Sequence, residues 1–457
     1  LKRFRRGWWA SAAVLVLACA GLGTASVLQG PRLQGGQIDV DAAVAGPSPL
    51  RLVIDEAVAD LDEGQVSVSP EVPFTVQTDG SVVLLRFQSA LDYDITYRVG
   101  LSGVAAAAGG VRADLHYEFE TPPIHATWLS RASSGDRILT GSPGEAPETL
   151  FTGARIQDFL PLPGALLVVR LDDAGASYAE IVATDGSDSV ERLMLPGGAP
   201  VRMALLTLIG TDALYTVTTL DPDAAVAAGL PAFDESLFRL DLTGTHIAEP
   251  VLAPDGRPIA ADTLLPIPGS TAVLVHSRAG DVYRYDPPSG TAPTLLAGYA
   301  EMVALAADGH RLSVKDAFGP LIYDLVDGSE SRIEPSPMAG GTAVPFVADV
   351  VPVAGGWIER AVLPNADFSA FDSFIARDDG SSTTELFRPS RKGGSVVGYA
   401  VTANERYLIA EVSPGGDTFA ASDGYEADAR PRDVTIVVLD LASGEVAQEW
   451  AGSHARW

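Results

Sequence analysis

The stretch Asp281–Thr291, DVYRYDPPSGT, alternates apolar and polar residues for five positions and then breaks into Asp286, Pro287, Pro288, Ser289 and Gly290. A period of two is that of a β-strand with one face buried, and the break is a turn. Asp286 is expected to bond the backbone of its own turn, and Gly290 to permit the positive φ that a hairpin needs. The same pattern recurs at DRILTGSPG, YAEIVATDG, SLFRLDLTG, PLIYDLVDG, SFIARDDG and TIVVLDLASG. From Gly144 to Gly444, six intervals span 300 residues, a mean of 50. Short strands such as TELFRP follow each copy, and two more, such as DTLLPIPG with TAVLVHS, precede it. Four strands per period with no helical segment between them are the blades of a β-propeller, expected over residues 123–457. Seven blades are favoured, and six or eight also fit. The first, from Ala126 to Gly153, is short of one strand.

Upstream, seven shorter runs lie within about 85 residues: QIDVDAAV, LRLVIDEAV, QVSVSP, FTVQTD, SVVLLRF, ITYRVGL and LHYEFET. Their spacing predicts an antiparallel β-sandwich over 37–122, after a linker at 30–36. Leu91, Tyr97 and Val99 are expected on its core face. VSVSP at Val66–Pro70, ALDYDITYRVGLSG at Ala90–Gly103, the Gly109-Gly110 turn and YEFETP resemble bacterial Ig-like domains of the S-layer and surface-protein type. Asp92 to Asp94 stand where that family carries a glycine. The resemblance covers roughly a fifth of the chain and implies a spacer or adhesion module.

Residues 1–29 combine Lys2, Arg3, Arg5 and Arg6 with an uncharged stretch from Gly7 to Val27 that opens on Trp8 and Trp9. About 20 apolar residues span a bilayer as a helix, and the basic flank stays on the cytoplasmic side. Three fates fit this segment: an N-terminal membrane helix that stays as an anchor, a signal cleaved near Ala25, or lipidation at Cys19. VLAC resembles a bacterial lipobox, with Leu17 bulkier than that motif usually carries. All three make the body extracytoplasmic, held to the bacterial cytoplasmic membrane or envelope, or secreted if the signal is cut.

The chain carries 59 acidic against 31 basic residues, a formal charge of −28, which repels phosphate backbones and argues against a nucleic-acid partner. Cys19 is the one cysteine, so the folded body has neither a disulfide nor a thiolate metal site. No HExxH, GxSxG, GxxxxGK[ST] or helix-opening GxGxxG motif is present. DGSDSVE at Asp185–Glu191 and RDDGSSTTE at Arg377–Glu385 lack EF-hand spacing and coincide with blade turns.

The final repeat, TIVVLDLASGEVAQEW, resembles the repeat of quinoprotein-like propellers, with Trp450 at that family's tryptophan. The variable spacing is similar to that of periplasmic propellers of the TolB and YncE kinds. These resemblances cover about two thirds of the chain and imply a fold rather than an activity. No cofactor is expected.

Three copies depart from the repeat between their second and third strands: LDPDAAVAAGLPAFDES from Leu220, LPNADFSAFD from Leu363 and SPGGDTFAASDGYEADARPRD from Ser413. Equivalent loops of a propeller emerge on one face, so these three segments should converge there. They bring the acids Asp221, Asp223, Asp234, Asp367, Asp372, Asp417, Asp423, Glu426 and Asp428 together with Phe233, Phe368, Phe371, Phe419 and Tyr425. Aromatics among acids suit a protein, peptide, glycan or cation partner. The basic cluster RPSRKGG, Arg388–Gly394, balances local charge or tethers an acidic envelope polymer.

The expectation is a non-enzymatic extracytoplasmic binding or scaffold protein. The alternative is a propeller hydrolase, lyase or lactonase using a divalent cation at the central channel, for which Asp158, Asp262, Glu301, Asp349 and Asn404 are the scattered inner-strand candidates.

Overall fold

The computed structural model describes residues 30–132, 135–187, 189–364, 371–389, 394–414 and 433–457. The chain divides into two units, Leu1–Pro123 and Ile124–Trp457. Among the described residues no helix is long and apolar enough to cross a membrane; the expected span at 7–27, with Cys19, lies outside them.

In the first unit, strands Leu33–Gln37, Pro49–Ile54, Val82–Phe87 and Phe74–Asp79 pair in that order, and Val66–Ser69, Thr96–Val104 and Ala113–Glu120 form a second sheet. Alternate residues of both sheets share one core: Leu50, Leu52, Val83 and Leu85 from the first, Tyr97, Val99, Leu101 and Phe119 from the second. Leu91, Tyr97 and Val99 are buried as expected. The Tyr97 hydroxyl accepts from the Asp92 amide at 3.0 Å, and its ring stacks on Phe119 at 5.5 Å.

Two expectations for this unit are corrected. QIDVDAAV is not a strand: Asp39 caps the short helix Val40–Ala45 by accepting from the Ala42 amide at 3.0 Å. An aspartate three residues ahead of a free amide outweighs a brief apolar alternation. Residues 30–36 are not a linker throughout, because Leu33–Gln37 is an edge strand. Its Gly35-Gly36 pair suggests a flexible joint, yet a Cβ on Gly36 would lie 2.4 Å from Cζ of Tyr117. The glycine makes room for that ring.

The second unit holds, among the described residues, seven four-stranded antiparallel sheets. In chain order of their first strands these are, for the second to seventh, Ile156–Leu162 to Val190–Arg192, Val201–Ile209 to Ala248–Pro250, Ala261–Pro266 to Thr294–Gly298, Glu301–Leu305 to Glu330–Arg332, Phe346–Val353 to Thr383–Phe387, and Ser395–Val401 to Glu445–Ala451. From the second sheet through the sixth, first strands of successive sheets approach one another, so they are the inner ones. This is a β-propeller arrangement.

The first sheet is assembled from both ends of the unit. Ala126–Ala132, Gly135–Gly141 and Glu148–Gly153 gain an inner strand from Ser453–Arg456, with Ser453 opposite Leu129 and Arg456 opposite Thr127. The strand missing from the first repeat is therefore supplied by the C-terminal segment. Gly452, at φ 150°, admits this turn; a Cβ there would lie 2.6 Å from the Leu129 carbonyl oxygen.

All seven copies of the opening pattern are third strands. Turn capping accounts for most of their aspartates: Asp185, Asp241, Asp324, Asp378 and Asp440 accept from amides two residues ahead at 2.7–2.9 Å. Asp286 departs from this. Its side chain accepts from the Thr271 hydroxyl at 2.8 Å, tying the hairpin to the preceding turn, because Pro287 and Pro288 remove the amides it would otherwise cap.

Successive side chains point to opposite faces and both sets are largely apolar, so each sheet packs on both neighbours, not on one as simple alternation implies; seven buried clusters correspond to the seven seams between neighbouring sheets. The cluster between the seventh and first sheets contains Trp128 and Trp450.

Candidate functional site

Strands alternate in direction, so second-to-third connections and sheet-to-sheet connections lie on one face of the second unit. The first long insertion leaves Thr219 and enters the helix Pro222–Ala227, whose cap is Asp221, accepting from the Ala224 amide at 2.9 Å. Asp223 is exposed in its first turn. Phe233 is half-buried. Its ring packs edge-on against Phe238 at 5.1 Å and its amide donates to Thr219 Oγ1 at 2.9 Å, so it anchors the loop. Asp234 lies 3.5 Å from Arg278 of the neighbouring sheet, and Glu235 3.2 Å from it.

At the sixth sheet Phe371 is exposed, and Asp372 is 3.1 Å from Arg388, which also holds Glu385 at 2.6 Å. Arg388 thus balances local acids. Asp367, Phe368, Asp417, Phe419, Asp423, Tyr425, Glu426 and Asp428 lie outside the described residues.

Other exposed apolar side chains on this face were not anticipated: Phe318, 87% exposed, in the hairpin of the fifth sheet, and Val344 and Phe346 where the chain enters the sixth. Leu220, Val226 and Leu230 add a second group at the third sheet. An apolar residue at a turn tip was the available sequence signal, and it was obscured because each stands alone in its turn.

The inner-strand candidates do not converge on a common point; each is engaged by nearby residues, Glu301 and Asp349 by the same lysine. Asp158 accepts from Arg456 at 3.0 Å, and Arg456 also donates to the Leu206 carbonyl at 3.0 Å, bridging three inner strands. Asp262 meets His276 at 2.6 Å, whose other nitrogen is 3.0 Å from the Tyr299 carbonyl. Glu301 and Asp349 share Lys315, at 3.0 and 2.9 Å, and Asp349 also pairs with Arg360. Burial works against the Lys315 charge, but its bonds to Asp349 and Glu301 outweigh that and raise its pKa. Asn404 accepts from the Thr402 hydroxyl and the Arg406 amide, a turn role. Among the described residues no three His, Cys, Asp or Glu side chains gather as metal ligands.

A recurrent irregularity explains where these acids point. In the second to seventh sheets the inner strand bulges against the second strand, between Ile156/Asp158, Ala204/Thr207, Ala261/Thr263, Met302/Ala304, Val347/Asp349 and Val396/Gly398. A bulge adds twist and re-aims the side chains beside it. Asp158, Asp262 and Asp349 stand at or next to one. Second-strand cations then reach the next sheet's bulge, Arg131 to the Ile156 carbonyl at 2.8 Å and Arg360 to the Val396 carbonyl at 3.1 Å.

The seam between the fifth and sixth sheets differs from the others. Its apolar cluster is limited to Ala361, Phe374 and Ala376, with Met338 and Leu363 against it. Around these lie Ser313, Glu359, Asp378 and Thr383, all fully buried. Asp378 is satisfied by the Ser336 amide at 2.8 Å, the Gly380 amide at 2.7 Å and the Thr383 hydroxyl at 3.2 Å. Glu359 receives one bond, from Trp357 Nε1 at 3.0 Å to Oε2. Its Oε1 and the Ser313 hydroxyl have no partner. Burial pushes the Glu359 carboxyl up to about 7; the Trp357 bond opposes this and the Asp378 charge adds to it.

A rim groove of ≈ 440 Å³ lies between Glu191–Pro196 and Thr245–Ala248, flanked by the exposed Met194 and Ile247. His246 bridges it, 2.7 Å from Glu191 and 3.0 Å from the Leu242 carbonyl, and the hydrogen bond to Glu191 raises its pKa.

No protein-family model matches the chain, and no curated protein matches it in sequence. Among solved structures it is similar to the dihydro-heme d1 dehydrogenase NirN in complex with DHE, at 13% identity and TM-score 0.42 over 73% of this chain and 74% of that one. It is also similar to a hypothetical selenium-binding protein from Sulfolobus tokodaii, at 10% identity and TM-score 0.41 over 73% and 92%. A third is the β-propeller domain of the Trilobed protease from Pyrococcus furiosus, at 9% identity and TM-score 0.31 over 93% and 98%. This chain is all-β, with propeller-like repeats of four-stranded sheets.

Proposed function

We propose that this is a non-enzymatic extracytoplasmic binding or scaffold protein, in which an Ig-like first unit serves as a stalk and a seven-bladed propeller binds a protein, peptide or glycan partner. The observation that carries this reading is the exposed apolar set on one propeller face: Leu220, Val226, Leu230, Phe318 and Val344 in connections, with Phe346 and Phe371 opening the strands that follow them. Exposed apolar side chains rimmed by acids such as Asp223 and Asp372 are what a partner would cover. The seven four-stranded sheets and the closing C-terminal strand support the blade number. Two sheets around one core support the Ig-like reading of the first unit. Residues 1–29 supply the proposed attachment to the bacterial cytoplasmic membrane or envelope.

The test places a photo-crosslinking residue at Val226 or Phe371, and at Ile247 or Val326 on the opposite face, in cells of the source organism. Adducts from the first pair and none from the second support the proposal. Equal adducts from both faces, or stoichiometric divalent-cation binding lost on substitution of Asp262 or Asp349, would sink it.

A further inference from the structure

The arrangement between the fifth and sixth sheets has a directional logic. Lys315 reaches Asp349 and Arg311 reaches the Val353 carbonyl, so the face of Arg311, Ser313 and Lys315 looks towards the sixth sheet. Arg360 reaches the Val396 carbonyl of the seventh sheet, so its neighbour Glu359 looks back towards the fifth. The two buried oxygens without partners, Glu359 Oε1 and Ser313 Oγ, therefore face the same seam.

The charged groups around Glu359 are already engaged. From the fifth sheet, Lys315 is shared by Glu301 and Asp349, and Arg311 binds Asp308 and the Val353 carbonyl. Asp324 of that face caps its own turn. In the sixth sheet Asp378 has three donors. On the far side Arg360 pairs with Asp349, and the Tyr399 hydroxyl donates to the Asp349 and Ile358 carbonyls. A buried carboxylate with one bare oxygen beside a satisfied, charged aspartate is costly, whereas a neutral carboxylic acid in the same place is not.

We propose that Glu359 is a proton-binding group that controls this seam: protonated, it closes the fifth sheet on the sixth; ionised, it draws water into the seam and loosens it. Water entering there also reaches Ser313 Oγ. Phe318 lies on one side of the joint and Phe346 and Phe371 on the other, so loosening changes the spacing of exposed side chains on one face. The other six seams have seven or more buried apolar residues in each cluster, and among the described residues Glu359 Oε1 is the one buried carboxylate oxygen without a hydrogen-bond partner.

Hydrogen–deuterium exchange on the full chain tests the joint, with rates corrected for intrinsic pH dependence. At about pH 8.5, segments 311–316 and 356–364 of the native protein should exchange about tenfold faster than those of Glu359→Gln, and at about pH 5.5 the two should match. Segment 212–219 of the third sheet should not differ at either pH. Equal exchange in both proteins at both pH values, or a difference spread over all sheets, overturns the proposal. A protonated-carboxyl infrared band present in the native protein below neutrality and missing in E359Q is the second expected reading; its absence in the native protein also overturns it. Should E359Q not fold, Trp357→Phe removes the lone donor to the carboxylate and must move the exchange midpoint to higher pH, and an unmoved midpoint counts against the joint.

Discussion

The indole rings of Trp128 and Trp450 stack at 4.4 Å with an 18° interplanar angle, across the seam where the two ends of the second unit meet. Trp450 ends the last complete sheet, and three residues later the chain becomes the inner strand of the first. The stack therefore lies beside the closure of the ring.

Trp450→Ala should lower stability by about 3–5 kcal/mol, as for other large buried aromatics. Because the lost contact is at the closure, proteolysis should first release the segment after residue 452. Calorimetry with limited proteolysis checks both, and an unchanged melting temperature would refute the assignment.

Gly452→Ala should act on the same closure through the backbone. The φ of 150° and the 2.6 Å approach to the Leu129 carbonyl leave no room for a methyl group. A cost of about 1–3 kcal/mol is expected from forcing a non-glycine residue there. A chemical-denaturation midpoint equal to that of the native protein would count against it.

Arg456→Ala should separate the inner strands it bridges, since its guanidinium holds both Asp158 and the Leu206 carbonyl. Loss of charged hydrogen bonds of this kind costs about 1.5–3 kcal/mol each. Exchange protection should fall at 156–162 and 201–209, while 346–353 keeps its own. Uniform loss across the ring would contradict a local bridge.

Thermal stability should depend on pH through Glu359. Its folded pKa of about 7 lies above the ordinary 4.5, so the folded chain holds this proton more tightly than the unfolded one. The stabilising effect is complete below about pH 4.5 and is lost as pH rises through about 7, with a swing on the order of 3 kcal/mol. Relative to the native protein, E359Q should gain melting temperature above pH 7, the gain shrinking as pH falls. The same offset at all pH values would be inconsistent with a buried acid that titrates.

Val226→Asp and Phe371→Asp should leave the melting temperature nearly unchanged, because both side chains are largely exposed. Both should reduce crosslinking to the partner proposed for that face. Undiminished crosslinking by either variant would remove its residue from the binding surface.

Local patterns made much of the second unit legible. The seven third strands were found in phase because alternation and Asp/Gly turn chemistry are properties of a few neighbouring residues, and Asp185, Asp241 and Asp440 do cap as their spacing implies. The insertions at Leu220 and Leu363 were placed correctly between second and third strands for the same reason. Reading failed where a local signal had a competing cause: Asp39 turned an apolar alternation into a helix, and Gly36 made space for Tyr117 in what looked like a linker. In the first insertion the loop and its acids were visible as residues out of phase with the repeat, whereas the local contacts of Asp221 as a helix cap, Asp234 with Arg278 and Phe233 with Phe238 depend on the fold.

The repeat and its turns were readable in the amino-acid sequence, because those depend on neighbours within one hairpin. The sequence could not say what each buried face meets. Ring closure is what makes Ser453–Arg456 complete a sheet begun more than three hundred residues earlier, brings Arg456 to Asp158, and turns Glu359 to a seam with no donor for one of its oxygens. Alternation reports that a side chain points inward; the partner waiting there is set by closing the ring.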